Sequence, residues 1–289
     1  TGHTRRGNTM PELPEVEYVA RQLREALVGS RITRTEVFWP RAVSRMSPEE
    51  LIARLTGRRV LAVGRRAKYL VLTLDSGESV VIHRRMSGNL RLARADEDAP
   101  YTRVAFLLGN GRRLLFTDPR KFGRVTVVAP DELPALFSRL GPEPLDADFT
   151  PDVLAARLGK SSRAIKVALL DQSVVAGLGN IYADEALFRA RIHPLRSATS
   201  LTPDEIIALH AGIQEALRTG IEHGGTTFGR HRGLYDEPGS NLEHVQVYHR
   251  TGQPCLRCGA PIERIRVAQR SAHFCPQCQP ASEAAAAAW

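Results

Sequence analysis

All four cysteines of the chain lie near its C-terminus, in two Cys-x2-Cys pairs separated by 16 residues. The pairs are Cys255 with Cys258 and Cys275 with Cys278. Each pair can present two sulfur atoms on one side of a tight turn, and two such turns complete the tetrahedron that Zn²⁺ accepts. Two disulfides or an iron–sulfur cluster are the alternatives. We predict one structural zinc, because four thiolates leave no position for water or substrate and the metal stabilises a segment too small for its own core.

Charge and cysteine usage indicate the compartment and the class of partner. The absence of cysteine from the rest of the chain argues against the disulfide framework of a secreted protein. A net charge of +9 favours a polyanionic partner, with nucleic acid ahead of an anionic membrane. No apolar stretch approaches the roughly 20 residues that span a bilayer, and the first 30 residues lack the apolar segment of a signal peptide. We expect a cytoplasmic, nucleoid-associated protein without a membrane partner.

The remaining sequence is typical of an α+β protein with two domains. A helix is predicted from Pro14 to a stop at Gly29, because apolar residues recur there at three- and four-residue steps. Stretches of strand-like composition follow at 60–74, 79–93, 102–108 and 112–117, with turn residues at 75–77 and 109–111. Several short strands joined by tight turns predict an antiparallel sandwich or barrel.

Shifts in composition divide the rest of the chain. Residues 131–150 are rich in proline and predict a linker, whereas 151–240 predict helices and a glycine-rich loop. One helix is expected to begin with a capping box formed by Thr202 and Glu205, with Pro203 in its first position. The expected parts are a leader or expression remnant at 1–9, a catalytic domain at 10–130, the linker, a helical DNA-binding domain at 151–240, a zinc finger at 241–280 and a peripheral tail at 281–289.

The segment between the two cysteine pairs, PIERIRVAQRSAHF, predicts a hairpin that carries Arg264, Arg266 and Arg270. A solvated β-ribbon is the simplest interpretation of such a hairpin. The charge of the whole chain favours instead a basic finger that contacts DNA phosphates.

The segment MPELPEVE (10–17) allows two interpretations. The prolines suit the start of a helix, and the acids complement the positive end of its dipole. Alternatively, removal of Met10 would leave Pro11 with a free secondary amine. An α-amino group titrates near pH ~8, whereas lysine titrates near ~10.4, so this amine would be nucleophilic at neutral pH. Its attack on a sugar C1′ would produce an iminium that acts as an electron sink.

This segment belongs to a set of motifs that follow one another in order: GRRAKYL (64–70), RRMSGNLR (84–91), TDPRKFGR (117–124), LGPEPL (140–145), DQSVVAGLGNIYADEALFRARIHP (171–194), HGGTT (223–227) and the cysteine-rich tail. Together they resemble the bacterial formamidopyrimidine-DNA glycosylases, Fpg or MutM, of the Fpg/Nei superfamily, over nearly all of 10–279. The resemblance implies an N-terminal β-sandwich, a helix-two-turn-helix domain and a C-terminal zinc-finger hairpin, with DNA between the halves. It also implies excision of oxidised purines, such as 8-oxoguanine and formamidopyrimidines, followed by nicking through β,δ-elimination.

The resemblance assigns chemical roles to individual residues. Pro11 matches the Schiff-base nucleophile and Glu12 the general acid/base beside it, while Glu15 is expected to be a supporting acid. Lys68 matches a lysine that assists base loss or elimination, although a strand-surface lysine is the alternative. Arg270 matches a residue assigned to δ-elimination, and phosphate binding is its second role.

Other positions match contacts to DNA. Asn180 and Arg270 match a pair that grips phosphate. Met86, Arg120 and Phe122 match a wedge that refills the space left by an extruded base, while burial in the core is the alternative for Met86 and Phe122.

The chain departs from the family in three places. Tyr101 stands where the family often has histidine, and Ser161 and Ser162 stand in place of a lysine-rich run, so two DNA contacts are expected to differ. Tyr101 and Arg163 are the DNA-binding residues expected in these regions. The loop over 226–244 keeps its glycines but diverges in its side chains, which leaves the ranking of lesions and the opposite base open.

Three competing functions remain at this point. A Nei-like preference for oxidised pyrimidines is disfavoured by the PELPEVE opening. A non-enzymatic zinc-ribbon DNA-binding protein accounts for the charge and cysteines but not for Pro11 and Glu12, and an RNA-associated zinc ribbon has only the charge in its favour. While the leader is attached, the Pro11 nitrogen is an amide, so we expect translation to start at Met10 and the methionine to be removed. One subunit suffices for this chemistry, and we expect a monomer.

Overall fold

The computed structural model describes residues 10–227 and 231–281. They form two compact units: the residues up to 138 together with 221–242, and 139–220 together with the residues from 243 onward. The segment 221–242 therefore packs with the N-terminal unit, although it is distant from it in the sequence. The domain borders drawn from composition stay predictions. The leader 1–9 and all but the first residue of the 281–289 tail lie outside the described residues.

Helix α1 (Leu13–Leu27) opens the first unit, as the apolar periodicity predicts. Val16, Val19 and Leu23 lie on its buried face and are almost fully excluded from solvent. Gly29 ends the helical segment with a φ of 85°, a conformation that glycine adopts without a steric penalty.

Two four-stranded antiparallel sheets make up most of this unit, in the orders β1-β6-β7-β5 and β2-β3-β4-β8. The strands are β1 (Ile32–Val37), β2 (Val60–Arg66), β3 (Tyr69–Leu74), β4 (Ser79–His83), β5 (Asn89–Arg94), β6 (Thr102–Leu108), β7 (Arg112–Thr117) and β8 (Arg124–Val128). Buried side chains from both sheets, from α1 and from a second helix, α2 (Pro48–Leu55), form one apolar cluster. The antiparallel sandwich is therefore confirmed.

The predicted strand stretches differ from the observed strands in one functionally important way. The stretch 60–74 is split by a tight turn at Ala67 and Lys68, and 79–93 is split by a turn over 84–88. Ser87 and Gly88 favour a turn, but the apolar residues on both sides continue the strand-like composition and hide the break. A short helix, α3 (Glu132–Phe137), also lies within the predicted linker.

The second unit contains the helices α4 (Pro151–Leu158), α5 (Ile165–Leu170), α6 (Asn180–Arg189) and α7 (Pro203–Glu222), the last of which ends at the border with the first unit. The capping box of α7 is confirmed, because the Thr202 N–H donates to Glu205 Oε2 at 2.8 Å and the Glu205 N–H donates to Thr202 Oγ1 at 3.2 Å. Within the described ranges, no helix is both long and apolar enough to cross a membrane.

The cysteine segment folds around a hairpin of β9 (Glu263–Val267) and β10 (Arg270–Phe274), which confirms the predicted hairpin. Its two central turn residues, Ala268 and Gln269, have φ values of 42° and 67°. Positive φ at both positions matches the right-handed twist of the flanking strands. Both residues are exposed at the tip of the hairpin.

Candidate active site and nucleic-acid interface

Pro11 and Glu12 lie directly before α1, and both are buried. Glu12 is the N-cap of the helix, and its backbone N–H donates to Glu15 Oε2 at 2.8 Å. The positive end of the helix dipole stabilises a carboxylate at this position. The start of the helix therefore holds a carboxylate on the residue next to Pro11, and the predicted chemistry requires an acid at that position.

Glu15 connects the start of α1 to the segment 221–242. Its Oε2 accepts from Glu12, while its Oε1 accepts from the Thr226 N–H at 2.7 Å. Gly225 approaches this carboxylate so closely that a Cβ there would lie 2.7 Å from Glu15 Cγ. The geometry makes Glu15 a structural tie between two distant parts of the chain, in addition to the supporting role expected from the resemblance.

Lys68 is buried in the turn between β2 and β3, with only 6% of its surface exposed. A strand-surface lysine would be solvated, so this alternative is wrong. On the neighbouring strand, His83 packs edge-on against Tyr69 with ring centroids 4.5 Å apart. Burial lowers the pKa of His83 to about 3, and the positive charges of Arg85 and Lys68 add to the shift.

Arg84 is the largest of the almost fully buried side chains. Its guanidinium donates to the Gly88 carbonyl at 3.0 Å, to Asn89 Oδ1 at 2.6 Å and to the Glu15 carbonyl at 3.3 Å. A further bond reaches the Arg232 carbonyl at 3.4 Å. Burial lowers the pKa of Arg84 to about 10, and Glu15 opposes this shift, so the group stays charged at neutral pH. Arg84 thus joins α1, the 84–88 turn and the segment 221–242.

The three predicted wedge residues lie on two turns of the sandwich. Met86 is half-buried in the 84–88 turn, which joins β4 to β5. Arg120 and Phe122 lie on the 118–123 turn between β7 and β8, with the Arg120 guanidinium 4.9 Å from the centroid of the Phe122 ring. Phe122 is 47% exposed. Its burial in the core is therefore excluded, and for Met86 burial is only partial.

Asn180 opens α6 in the second unit. Its Nδ2 donates to Ser271 Oγ at 3.3 Å, while its Oδ1 is buried without a hydrogen-bond partner. Ser271 directly follows the exposed Arg270, so the structure brings the two members of the predicted phosphate pair together.

A buried polar network links the start of α6 to the zinc-finger hairpin. Lys166 Nζ donates to the Asn180 carbonyl at 2.8 Å and to Asp184 Oδ1 at 2.6 Å. Asp184 Oδ2 in turn accepts from the backbone N–H of His273 at 3.0 Å. One helical turn of α6 therefore fixes both the phosphate-binding candidate and the strand β10.

Glu185, the next residue of α6, anchors the chain that leads into the zinc finger. Its carboxylate accepts from three consecutive backbone N–H groups, those of Gln246, Val247 and Tyr248, at 2.9 to 3.0 Å. Sequence reasoning missed both Asp184 and Glu185. The sequence feature that could have indicated them is a pair of adjacent acids within a helix whose other residues are mostly apolar.

The four cysteine sulfur atoms lie within 4.8 Å of one another, with Cys255 and Cys278 at 3.9 Å and Cys258 and Cys275 at 3.4 Å. A tetrahedral zinc with Zn–S bonds of about 2.3 Å places its sulfurs about 3.8 Å apart. The donor set and its spacing thus fit one zinc with a closed shell. Backbone N–H groups donate to Cys255 and Cys275 at 3.4 Å and support the negative charge of the thiolates.

Basic side chains project from the zinc-finger hairpin. Arg264, Arg266 and Arg270 are all exposed. Elsewhere, Tyr101 is 58% exposed with a φ of 65°, whereas Arg163 pairs with Asp171 at 2.9 Å. Tyr101 is thus free to reach a partner, and Arg163 would have to leave or share its ion pair to do so.

Three family models match the chain in the order of these elements. They describe the formamidopyrimidine-DNA glycosylase N-terminal domain over 10–125, the formamidopyrimidine-DNA glycosylase H2TH domain over 140–231, and the zinc finger found in FPG and IleRS over 252–281. The chain belongs to the formamidopyrimidine-DNA glycosylase family. It is accordingly a DNA glycosylase of base excision repair.

Named relatives support the assignment to this family. The formamidopyrimidine-DNA glycosylase of Herpetosiphon aurantiacus is 52% identical over 272 residues, which cover 93% of this chain and 100% of the relative. That of Chloroflexus aurantiacus is 50% identical over 93% of this chain and 98% of the relative.

Solved structures agree as well. A Lactococcus lactis FPG mutant in complex with DNA that contains Fapy-dG is 38% identical, with a TM-score of 0.88 over 94% of this chain and 100% of the other. The Lactococcus lactis Fpg in complex with DNA that contains an abasic site has a TM-score of 0.87 at the same identity, over 93% of this chain and 100% of the other.

Proposed function

We propose that the protein removes oxidised purines, including 8-oxoguanine and formamidopyrimidines, from duplex DNA and then nicks the abasic site by β,δ-elimination. The observation that carries this proposal is the placement of Pro11 immediately before Glu12 at the positive end of α1. The Lactococcus lactis relatives bound to Fapy-dG and abasic-site DNA support the choice of substrate.

In the proposed reaction, the Pro11 nitrogen attacks C1′ of the damaged nucleotide. A C1′–N bond to Pro11 forms as the glycosidic bond breaks, and the base leaves with the bonding electron pair and takes up the proton that the Pro11 nitrogen loses. Glu12 protonates the ring oxygen of the sugar as it opens. The resulting iminium withdraws electrons from C2′, so that a C2′ proton can be removed and the 3′ phosphate expelled. Lys68 assists these steps, and Arg270 assists the second elimination.

This chemistry requires a free imino nitrogen at Pro11. While Met10 or the leader is attached, the nitrogen lone pair is delocalised into an amide and is not nucleophilic. We therefore infer that the active form begins at Pro11, after removal of every residue that precedes it.

DNA binding divides between two sets of residues in this proposal. Met86, Arg120 and Phe122 occupy the space that the extruded nucleotide leaves, which offsets a few kcal/mol of lost stacking and pairing. In the second unit, Asn180 and Arg270 bind phosphate. Four further residues contact DNA in this proposal: Tyr101, Arg163, Arg264 and Arg266. We expect the protein to act in the cytoplasm, at the nucleoid, because its proposed substrate is chromosomal DNA.

The test is borohydride trapping on a duplex with one 8-oxoguanine opposite cytosine. Protein that begins at Pro11 should form a covalent adduct that maps to Pro11, whereas the full 289-residue chain, with its leader attached, is the matched control and should form none. Glu12→Gln should lose base release but still be trapped on a preformed abasic site. DNA binding by the Pro11 form without any adduct would favour the non-enzymatic zinc-ribbon protein.

A preference for oxidised pyrimidines is the second candidate. One specific observation favours it, because the wild-type Lactococcus lactis Fpg has also been solved in a complex with DNA that contains an oxidised pyrimidine. The same trapping assay with an oxidised pyrimidine in place of 8-oxoguanine separates the two. Faster single-turnover release of the pyrimidine would reverse the proposed order of substrates.

A further inference from the structure

The two turns that carry the wedge residues meet at one buried carboxylate. Asp118 follows β7 directly and has only 1% of its surface exposed. Its Oδ1 accepts from the Ser87 hydroxyl, and Ser87 is the neighbour of Met86 on the 84–88 turn. The carboxylate therefore reaches across from its own turn to the other.

The same carboxylate also organises its own turn. Asp118 Oδ1 accepts from the Arg120 N–H at 3.1 Å, and Oδ2 accepts from the Gly123 N–H at 2.7 Å. Phe122 lies between these two bonded residues in the chain. One side chain thus fixes the backbone at Arg120, before Phe122, and at Gly123, after it.

The ring of Phe116 packs closely against both of these turns. Phe116 is fully buried, and a Cβ added at Gly123 would lie 2.3 Å from its Cζ atom. A Cβ added at Gly88 would lie 3.0 Å from Cε2 of the same ring. Gly88 belongs to the turn of Met86 and Gly123 to that of Phe122, so both turns close directly onto Phe116.

We propose that Asp118 is a positioning residue for base extrusion, which sets the two turns so that Met86, Arg120 and Phe122 enter the duplex together. This inference rests on the proposed function of those three residues as a wedge. Asp118 is buried and bonded to its own chain, so it acts through the turns and not by contact with DNA. The physical reason is that a wedge assembled from two separate loops fills the vacated space only if both loops are held in one relative position.

The experiment compares Asp118→Asn with the wild type, both starting at Pro11. The asparagine keeps the shape of the side chain, but its Nδ2 cannot accept a hydrogen bond, so the bond from either the Gly123 N–H or the Arg120 N–H is lost. Glu36→Gln is the matched control, because Glu36 lies on β1 in the same sheet as β7 and pairs with Arg113 instead of a wedge turn. Thermal unfolding checks the fold of each variant.

The decisive readout is the fluorescence of 2-aminopurine placed beside the lesion, which rises when the bases unstack. For Asp118→Asn, the rate of this rise and the single-turnover rate of 8-oxoguanine release should each fall about tenfold, the size expected from loss of one hydrogen bond to a charged group. Borohydride trapping on a preformed abasic site should change much less, since no base has to be extruded. Glu36→Gln should match the wild type in all three assays.

Two outcomes overturn the inference in distinguishable ways. An active wild type with Asp118→Asn equal to it in unstacking and base release refutes the positioning role alone. A wild type that neither unstacks nor excises refutes the proposed function and this inference with it. Should Asp118→Asn fail to fold, Ser87→Ala removes only the link between the turns and must itself slow unstacking for the inference to stand.

Discussion

Replacement of His83 by asparagine should make the stability of the first unit less sensitive to acid. His83 Nδ1 accepts a hydrogen bond from the Arg85 N–H at 3.0 Å, so the folded protein requires this nitrogen to be unprotonated. A proton on the ring would break that bond and place a positive charge in a buried site beside Arg85 and Lys68. Asparagine can present Oδ1 as an acceptor near the same place, and it does not titrate.

The magnitude follows from the two pKa values of His83. The ordinary value of 6.5 applies to the unfolded chain, and the folded value is about 3. Because the folded value is lower, the unfolded state binds the proton first, and stability is lost as the pH falls from 6.5 toward 3. At about pH 5, which is about 1.5 units below the unfolded pKa, protonation of His83 stabilises the unfolded state relative to the folded state by about 2 kcal/mol. Near pH 7.5 this stabilisation is almost zero.

Urea unfolding at several pH values, with zinc present, measures the effect. Both proteins carry Trp289→Phe, so that Trp39 fluorescence reports this unit. Contributions from all other groups are common to both proteins and cancel in the difference. Between about pH 7.5 and pH 5 the wild type should lose about 2 kcal/mol more of its free energy of unfolding than His83→Asn. Parallel pH profiles for the two proteins would refute the reasoning.

Three further predictions concern other parts of the chain. Cys258→Ser should lose bound zinc, measured by elemental mass spectrometry, and weaken DNA binding; unchanged metal content would contradict the closed four-thiolate site. Gly220→Ala should lower the free energy of unfolding by about 1–3 kcal/mol, because the new Cβ would lie 2.5 Å from the buried Tyr182 ring. Alanine normally favours a helix, so a Gly220→Ala protein more stable than the wild type would show that this contact is absent. Gly64→Ala is the control, because a Cβ at Gly64 would have no atom within 4 Å. DNA affinity should fall steeply with salt, and Arg270→Ala should reduce the slope of log affinity against log salt concentration by about one. An unchanged slope would show that Arg270 does not contact a phosphate.

Local features of the fold could be predicted from the sequence because the interactions behind them span few residues. The α7 capping box joins residues three apart, and the finger hairpin joins neighbouring strands through a two-residue turn. The zinc site belongs to the same class, since each Cys-x2-Cys pair presents its own two ligands. Pro11 was recognised because it follows Met10 and precedes the acid Glu12 at the start of a predicted helix.

Residues that connect distant segments could not be predicted in this way. Glu15 and Thr226 are 211 positions apart, and Arg84 reaches a carbonyl 148 positions away. Lys68 and Asp118 resemble ordinary surface residues in the sequence, yet both are buried. Nothing in a linear pattern shows which backbone groups will face them.

The sequence by itself determined which candidate groups this protein carries, namely an imino acid beside a carboxylate, four thiolates for zinc and a basic hairpin, because these depend on residue types at short spacings. Only the tertiary structure decided which distant segments are bonded together around the predicted reactive and DNA-binding residues, through Glu15, Arg84 and Asp118. The physical reason is that a buried charge must find its hydrogen-bond partners, and the packing of the folded chain decides which distant backbone groups those partners are.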